Sequence, residues 1–394
     1  MMLSVEELSI DKSDWSDWKL GELVYEPKET AKSLLDEGVE HVVGLEHIDS
    51  EDHHLRRSSS LEKSTTFTKK FRKGDVLFGR RRAYLKKAAV AHFDGVCSGD
   101  IIVMRAREDL MLPGLLPFLI NNDRFFDFAV THSAGGLSPR VKFKDISNML
   151  FCLPSLEKQS EIFDLLKSID HASETARDIL ENLDVLLLSM RENELCSNSF
   201  ERVFLSSVLE EIVAGKSLNG ESYPAQNSEK AVLKVSAVGP DGFCKDENKI
   251  LKKQGEFLEK YSVRKGDVLI TRANTMELVG RVCLVDEDYP NLMLSDKTLR
   301  LVFVEDKLDR IFITEVLNSF ESRRQIESFA TGTGNAMKNI SQSEIGSIKV
   351  PLPPKNIQNH LANKISLIRR NIIQHKRHLF VLKQLRSSII ERVF

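Results

Sequence analysis

The apolar positions of this chain fall into two kinds of run. From Ile162 they return every seven residues, at Ile169, Ala176, Leu183 and Met190, with Leu165, Ala172, Ile179 and Leu186 read as the second position of the same seam. The last forty residues repeat the pattern: Leu361, Ile365, Ile368, Ile372, His375, Leu379, Leu382 and Ile389 follow a spacing of four and three. A seven-residue repeat held this long predicts two helices of coiled-coil type. Pro351, Pro353 and Pro354 set the start of the second, because proline cannot donate a backbone hydrogen bond within a helix. The expected seam joins Ile162, Ile169, Ile179 and Leu183 to Leu361, Ile368, Ile372 and Leu382.

Ahead of each heptad stretch the pattern changes to strands and turns. Short runs rich in Val, Ile and Phe are cut by Gly, Asp and Asn, as in "DVLFGRRRAYLKKAAVAHF" and "SGDIIVMRA", then "GDVLITRANTMELVGRVCLV" and "KTLRLVFV". A helical stretch, a Gly/Ser/Thr loop, a short strand and a Leu-Pro step follow in each case. The hexamer "RKGDVL" occurs at residues 72–77 and again at 264–269, an offset of 192. "LGELV" at 20–24 resembles "LEEIV" at 209–213, and Leu153-Pro154 with Gln159 matches Leu352-Pro353 with Gln358. Order is kept while the offset drifts from 189 to 199, as loop insertions would produce. This is a duplicated domain; solenoid repeats are far shorter. In the hexamer, Gly74 and Gly266 suit a turn leading into a strand, and Asp75 and Asp267 can accept its backbone N–H groups. The expected organisation is α+β. One β-rich α/β domain spans 1–155 and a helix 156–198, and a second domain spans 199–354 and a helix 355–394.

Charge adds a reason for the helices to pair. Residues 157–196 hold ten acids and four bases, whereas 355–394 hold one acid, Glu391, and nine bases. Each helix repels itself and attracts the other, so an antiparallel two-helix spacer with pseudo-twofold symmetry is expected. The whole chain is nearly neutral, at −2, so any signal for nucleic acid must be local. The five cysteines, Cys97, Cys152, Cys196, Cys244 and Cys283, form no CxxC pair, which argues for a reducing compartment and against a zinc site. No signal peptide and no apolar run of membrane-spanning length is read, so a cytoplasmic location is expected.

The densest local charge is at residues 63–87, with Lys63, Lys69, Lys70, Arg72, Lys73, Arg80, Arg81, Arg82, Lys86 and Lys87 against Asp75. Such a cluster neutralises phosphates and offers Arg forks to guanine, or else keeps an edge strand soluble. The matching place in the second half carries Arg272, Asn274 and Arg281; Arg and Asn are suited to bidentate reading of guanine and adenine. The Gly/Ser/Thr loops at 131–140 and 331–340 offer Ser133, Arg140, Thr331, Thr333, Asn335 and Lys338 as contacts to phosphate, or serve as structural turns. Neither loop fits a nucleotide-binding fingerprint. Asp241, Glu247 and Lys249 imitate a metal-dependent nuclease signature, but the stretch between them is too short for the strand turn such a site needs. "EHIDSEDHH" at 46–54 fits no zinc spacing and reads as a polar surface loop. No catalytic constellation and no metal site is assigned.

The ordered set, found twice and closed each time by a coiled-coil helix, resembles the specificity subunit of type I restriction–modification systems. The resemblance implies that each β-rich unit is a target recognition domain reading one half of a bipartite site in double-stranded DNA. The helices then set a gap of unread base pairs. It further implies two modification subunits that methylate adenine, and restriction subunits that translocate and cleave. S-adenosylmethionine, ATP and Mg belong to those partners, and this chain carries no cofactor and no catalysis. The competing reading is a two-headed coiled-coil adaptor that binds proteins.

Overall fold

The computed structural model describes residues 11–61, 65–226, 228–240, 242–332 and 337–394. The chain divides into two compact units, the first comprising residues up to Arg177 together with Arg377–Phe394, and the second Asp178–Lys376. Each division falls inside a long helix, Leu156–Met190 and Lys355–Val393 respectively.

In the first unit an antiparallel sheet runs in the order Val24–Tyr25, Ile101–Ala106, Val76–Gly79, Ala88–Val90. A second sheet runs Ser59–Ser60, His41–Val43, Gly95–Cys97, Lys69–Phe71, with a parallel pairing of His41–Val43 and Gly95–Cys97. The second unit repeats the first of these sheets as Leu209–Ala214, Thr298–Phe303, Val268–Thr271, Val282–Leu284. It also repeats the parallel pair, as Ala231–Leu233 with Tyr289–Met293.

The hexamer owes its repetition to one structural job. Gly74 and Gly266 take positive φ values of 92° and 85°, where a Cβ would be strained. Asp75 Oδ2 accepts from Arg72 N–H at 2.8 Å and Asp267 Oδ2 from Arg264 N–H at 2.9 Å, closing the turn. Each Asp also meets an Arg of the adjacent strand, Arg105 and Arg300. The next three residues are buried on both faces. Val76 and Phe78 enter one core while Leu77 enters another, and Val268 and Ile270 part from Leu269 in the same way. A strand covered on both faces needs an unbroken apolar run, which is why "VLF" and "VLI" do not alternate.

The Leu-Pro…Gln step is a clamp on the start of each long helix. Gln159 accepts from Leu112 N–H and donates to the carbonyls of Leu110 and Pro154. Gln358 accepts from Asp309 N–H and donates to Lys307 and Pro353. Both glutamines are buried, so the side chain settles three backbone groups that would otherwise be unpaired.

One sequence match shifts. Leu20–Leu23 is a helical turn, and its counterpart is Leu205–Ser207, because Leu20 N–H bonds Met149 O as Leu205 N–H bonds Ile348 O. Leu209–Ala214 is a strand in which Leu209, not Val213, stands where Val24 stands, since Leu209 pairs with Phe303 as Val24 pairs with Ala106. The spacing from turn to strand is the same in both units, so the match of "LGELV" to "LEEIV" sets a helical turn against a strand that begins four residues further on.

The long helices pack against each other within each unit. In the first, Ile162, Leu166 and Ile169 share a core with Leu382, Leu385, Ile389, Ile390 and Val393. In the second, Leu180, Leu183, Leu187 and Met190 share one with Leu361, Ile365, Ile368 and Ile372. There Glu194 meets Lys364 at 3.0 Å, while Arg191 and Arg369 grip the same buried carboxylate, Glu315, so the two helices run antiparallel. The second seam position corrects the sequence reading. It is Leu166, Ser173, Leu180 and Leu187, one residue after the expected Leu165, Ala172, Ile179 and Leu186; Leu165 and Leu186 are about half exposed (50% and 47%) and Ile179 joins neither core. Ser173 is the cause of the misreading: a buried serine, its hydroxyl bonded to Ile169 O, occupies a seam position and breaks the apolar pattern.

Candidate nucleic-acid interface

In each unit the polar loop after the hexamer strand is tied by backbone bonds to the Gly/Ser/Thr loop. In the first, Arg81 bridges Arg140, Arg82 N–H bonds Pro139 O, and Val141 N–H bonds Arg80 O. In the second, Ala273–Asn274 pairs antiparallel with Lys338–Asn339, and Ile340 N–H bonds Arg272 O. Arg80 and Arg272 hold equivalent places, since their N–H groups bond the carbonyls of Asp100 and Lys297. Two segments about sixty residues apart in sequence thus form one surface in each unit.

The side chains on these surfaces differ. In the first unit Arg140 forms a fork with Asp100 at 2.7 and 3.2 Å, and Arg81 Nη2 donates to Ser138 Oγ while Nη1 lies 3.7 Å from Asp100. Asp100 is held below the usual carboxylate range, chiefly by its bond from Arg140. Lys86 reaches Asp123 at 2.7 Å, which raises its pKa, and Lys87 donates to Leu45 O. Ser133 donates to Ala129 O. Arg80 is half-buried, whereas Arg82 is exposed with φ at +55° and, among the described residues, has no ion-pair partner. Of the rest of the expected basic cluster, Lys69 pairs with Glu26, Lys70 with Glu37 and Arg72 with Glu29, whereas Lys73 has no ion-pair partner among the described residues. Lys63 lies outside the described residues.

In the second unit Arg272 is exposed and, among the described residues, has no ion-pair partner. Asn274 Oδ1 accepts from Thr275 N–H, leaving its amide nitrogen at the surface strand. Arg281 Nε donates to Glu277 O, Lys338 Nζ to Gly332 O, and Thr331 exchanges backbone bonds with Asn339. Thr333 and Asn335 lie outside the described residues. Of the nuclease signature, Glu247 is engaged by Ser236 and Lys234, and Asp241 lies outside the described residues.

The "EHIDSEDHH" segment is not a solvated loop. His53 is 4% exposed. His53 Nε2 lies 2.7 Å from Asp170 Oδ1, off the line of a good hydrogen bond, and His54 Nε2 lies 3.0 Å from Asp170 Oδ2. His92 Nε2 is 2.9 Å from His54 Nδ1. Around them Arg56 grips Glu174 with both Nη groups and donates Nε to Asp52, which Arg177 also contacts. Arg386 Nη1 sits 2.9 Å from His53 Nδ1. A guanidinium only donates, so His53 Nδ1 accepts and the ring proton is on Nε2, facing Asp170. That proton takes up the lone pair a metal would need, and the cluster is a charge network tying the 46–57 segment to both long helices within the first unit. Sequence reasoning missed it because Asp170 is 116 residues from His54; the one available signal was an acid on a helix seam.

Among the described residues, no helix is long and apolar enough to cross a membrane. The specificity subunit of the type I restriction enzyme EcoEI from Escherichia coli is 35% identical over 127 residues, 32% of this chain and 21% of that one. The EcoKI specificity subunit of Escherichia coli K12 is 22% identical over 308 residues, 72% of this chain and 64% of that one. The chain thus spans less than two thirds of these curated relatives. The crystal structure of a type I restriction–modification S subunit from M. genitalium shares the fold, with a TM-score of 0.63 at 14% identity over 98% of both chains. The family model for the type I restriction modification DNA specificity domain matches residues 12–184 and again 200–383, the same duplication that the hexamer marks, and the chain belongs to that family.

Proposed function

We propose that this chain is the DNA-reading subunit of a type I restriction–modification system, each unit reading one half of a bipartite site. The observation that carries the reading is the paired loop surface: one backbone frame, built twice, presents Arg80 and Arg82 in one copy and Arg272 and Asn274 in the other. A constant frame with different polar groups is what two different half-sites require. The arginine forks of the first unit are largely committed to Asp100 and Ser138, so its base contacts fall to Arg82 and Arg80, while Arg140 and Lys86 stiffen the loop.

The chain supplies no catalysis in this reading. Methylation of adenine and cleavage belong to modification and restriction subunits, with S-adenosylmethionine, ATP and Mg bound there. Apolar side chains left exposed on the long helices support docking of such partners: Leu165, Phe380 and Val381 in the first unit, Val185, Leu188, Leu367 and Ile373 in the second. A cytoplasmic location follows from this role.

The test is a methylome. The chain is co-expressed with its adenine methyltransferase in a host free of methylation, and modified adenines are mapped by single-molecule sequencing. The expected result is a bipartite motif, absent without this chain, in which Arg272→Ala and Asn274→Ala relax one half only. Co-purification of the two proteins without new methylation would instead favour the adaptor reading.

A further inference from the structure

The turn at residues 274–281 carries or flanks every candidate base-reading side chain of the second unit's first loop; Thr275 and Glu277 are exposed at its outer side, while Val279 is buried beneath them. Its own bonds close it on Thr271 and Thr275: Leu278 and Val279 N–H both bond Thr275 O, Gly280 N–H bonds Thr271 O, Thr271 Oγ1 donates to Leu278 O, and Arg281 N–H reaches Thr271 Oγ1 and Leu278 O. Three carbonyls, of Met276, Glu277 and Val279, turn inward. All three accept from one side chain, Arg323 of the helix Phe320–Phe329, at 3.2, 3.4 and 2.5 Å.

Arg323 is 7% exposed. Its nearest carboxylate, Glu327, lies 3.7 Å away and is about half exposed, so no close ion pair explains the burial. Burial, and the charge of Arg281 beside it, push its pKa down to about 10. A cation is therefore held at a cost that the carbonyl bonds must offset. The first unit does this differently. Asn122 caps Phe125 N–H as Ser319 caps Ser322 N–H, which makes Phe126 the counterpart of Arg323. There the loop is held from the surface, by Lys86 on Asp123 and by Ser50 Oγ on Leu85 O.

We infer that Arg323 is a positioning residue for sequence reading: its guanidinium fixes the 274–281 turn, and through Thr271 the strand end that presents Arg272 and Asn274. It touches no DNA itself. The inference rests on the proposed DNA-reading role. It adds that the two half-sites are read from loops fixed in two ways, a surface ion pair in one unit and a buried guanidinium in the other.

Two measurements on the full chain decide it, with Arg323→Lys and Arg323→Met. The first is amide hydrogen exchange of Leu278, Val279 and Gly280, expected to quicken about tenfold or more in Arg323→Met and less in Arg323→Lys. The second is the methylome of each variant with its methyltransferase. Base preference is expected to fall about tenfold in one half-site and stay unchanged in the other, Arg323→Lys again lying between. A merely structural role would lower the amount of folded protein and of methylation while leaving the motif intact, and that result overturns the inference. If the wild-type chain directs no bipartite methylation, the DNA-reading proposal fails by itself. The exchange data then stand alone, and unchanged protection at Val279 and Gly280 overturns the role of Arg323.

Discussion

Asp75 and Asp267 show how one residue can be kept by a duplication and yet differ in worth. Asp75 is 2% exposed and takes a two-pronged contact from Arg105, Nε to Oδ1 at 2.6 Å and Nη2 to Oδ2 at 2.7 Å, besides closing its turn. Asp267 takes one contact from Arg300, at 2.9 Å, and burial raises its pKa, so its charge is less well compensated. Losing the carboxylate charge should therefore cost more in the first unit. Asp75→Asn is expected to destabilise by about 3 kcal/mol, as when one partner of a buried pair is lost. Asp267→Asn is expected to cost about 1 kcal/mol. Urea unfolding of the full chain measures both, and equal losses would show that the extra contact contributes nothing. The turn chemistry was legible in "RKGDVL" because it joins neighbours three residues apart; the arginine partners were not, because they come from another strand.

At the level of elements, the helices were legible and their contacts were not. Heptad spacing located both helices, but a serine in the seam moved the second seam position by one residue. The charge asymmetry pointed to pairing, yet Glu174 turns to Arg56 and Asp170 to two histidines, so these two acids serve a loop of the same unit. That network predicts a pH dependence. His53 has a pKa below its ordinary value, first because burial disfavours the imidazolium and also because Arg386 faces it, against the raising effect of Asp170. His92 is lowered too, again mainly by burial. A histidine kept neutral in the fold but free to protonate when unfolded makes stability rise with pH. Its contribution is complete above about 6.5, the ordinary histidine value, and is lost as pH falls toward the folded pKa. Asp170 and Asp52 are held well below the carboxylate range and Glu174 is lowered, so they stay charged through that window. Stability measured between pH 7 and 5 should fall, and His53→Gln should flatten the slope. An unchanged slope in that variant would place the titration elsewhere.

For the whole molecule, charge is the property that matters to function. A net −2 is reached with Lys69, Lys70, Arg72, Arg81 and Lys86 of the 63–87 cluster paired to acids of the same unit. These pairs reduce the positive charge left to neutralise phosphates, so the isolated chain should bind DNA weakly. Fluorescence anisotropy should show affinity falling steeply between about 50 and 200 mM salt, with sequence preference, on the proposed function, appearing only when a methyltransferase subunit is added. Equal specific affinity with and without the partner would mean that the chain alone carries the phosphate contacts.

By itself the sequence determined the duplication, the strand–helix order within each half, the turn of the repeated hexamer and the existence of both long helices. Apart from the duplication, which is read by comparing the two copies, these are written in residues within a few turns of each other, where spacing and backbone preference act locally. Only the tertiary structure decided which cations stay free, that His53 and His54 meet Asp170, that Gln159 and Gln358 clamp the helix starts, and that Arg323 holds the 274–281 turn. Those outcomes depend on side chains far apart in the chain competing for one partner in a shared volume, and no local pattern records which of them arrives.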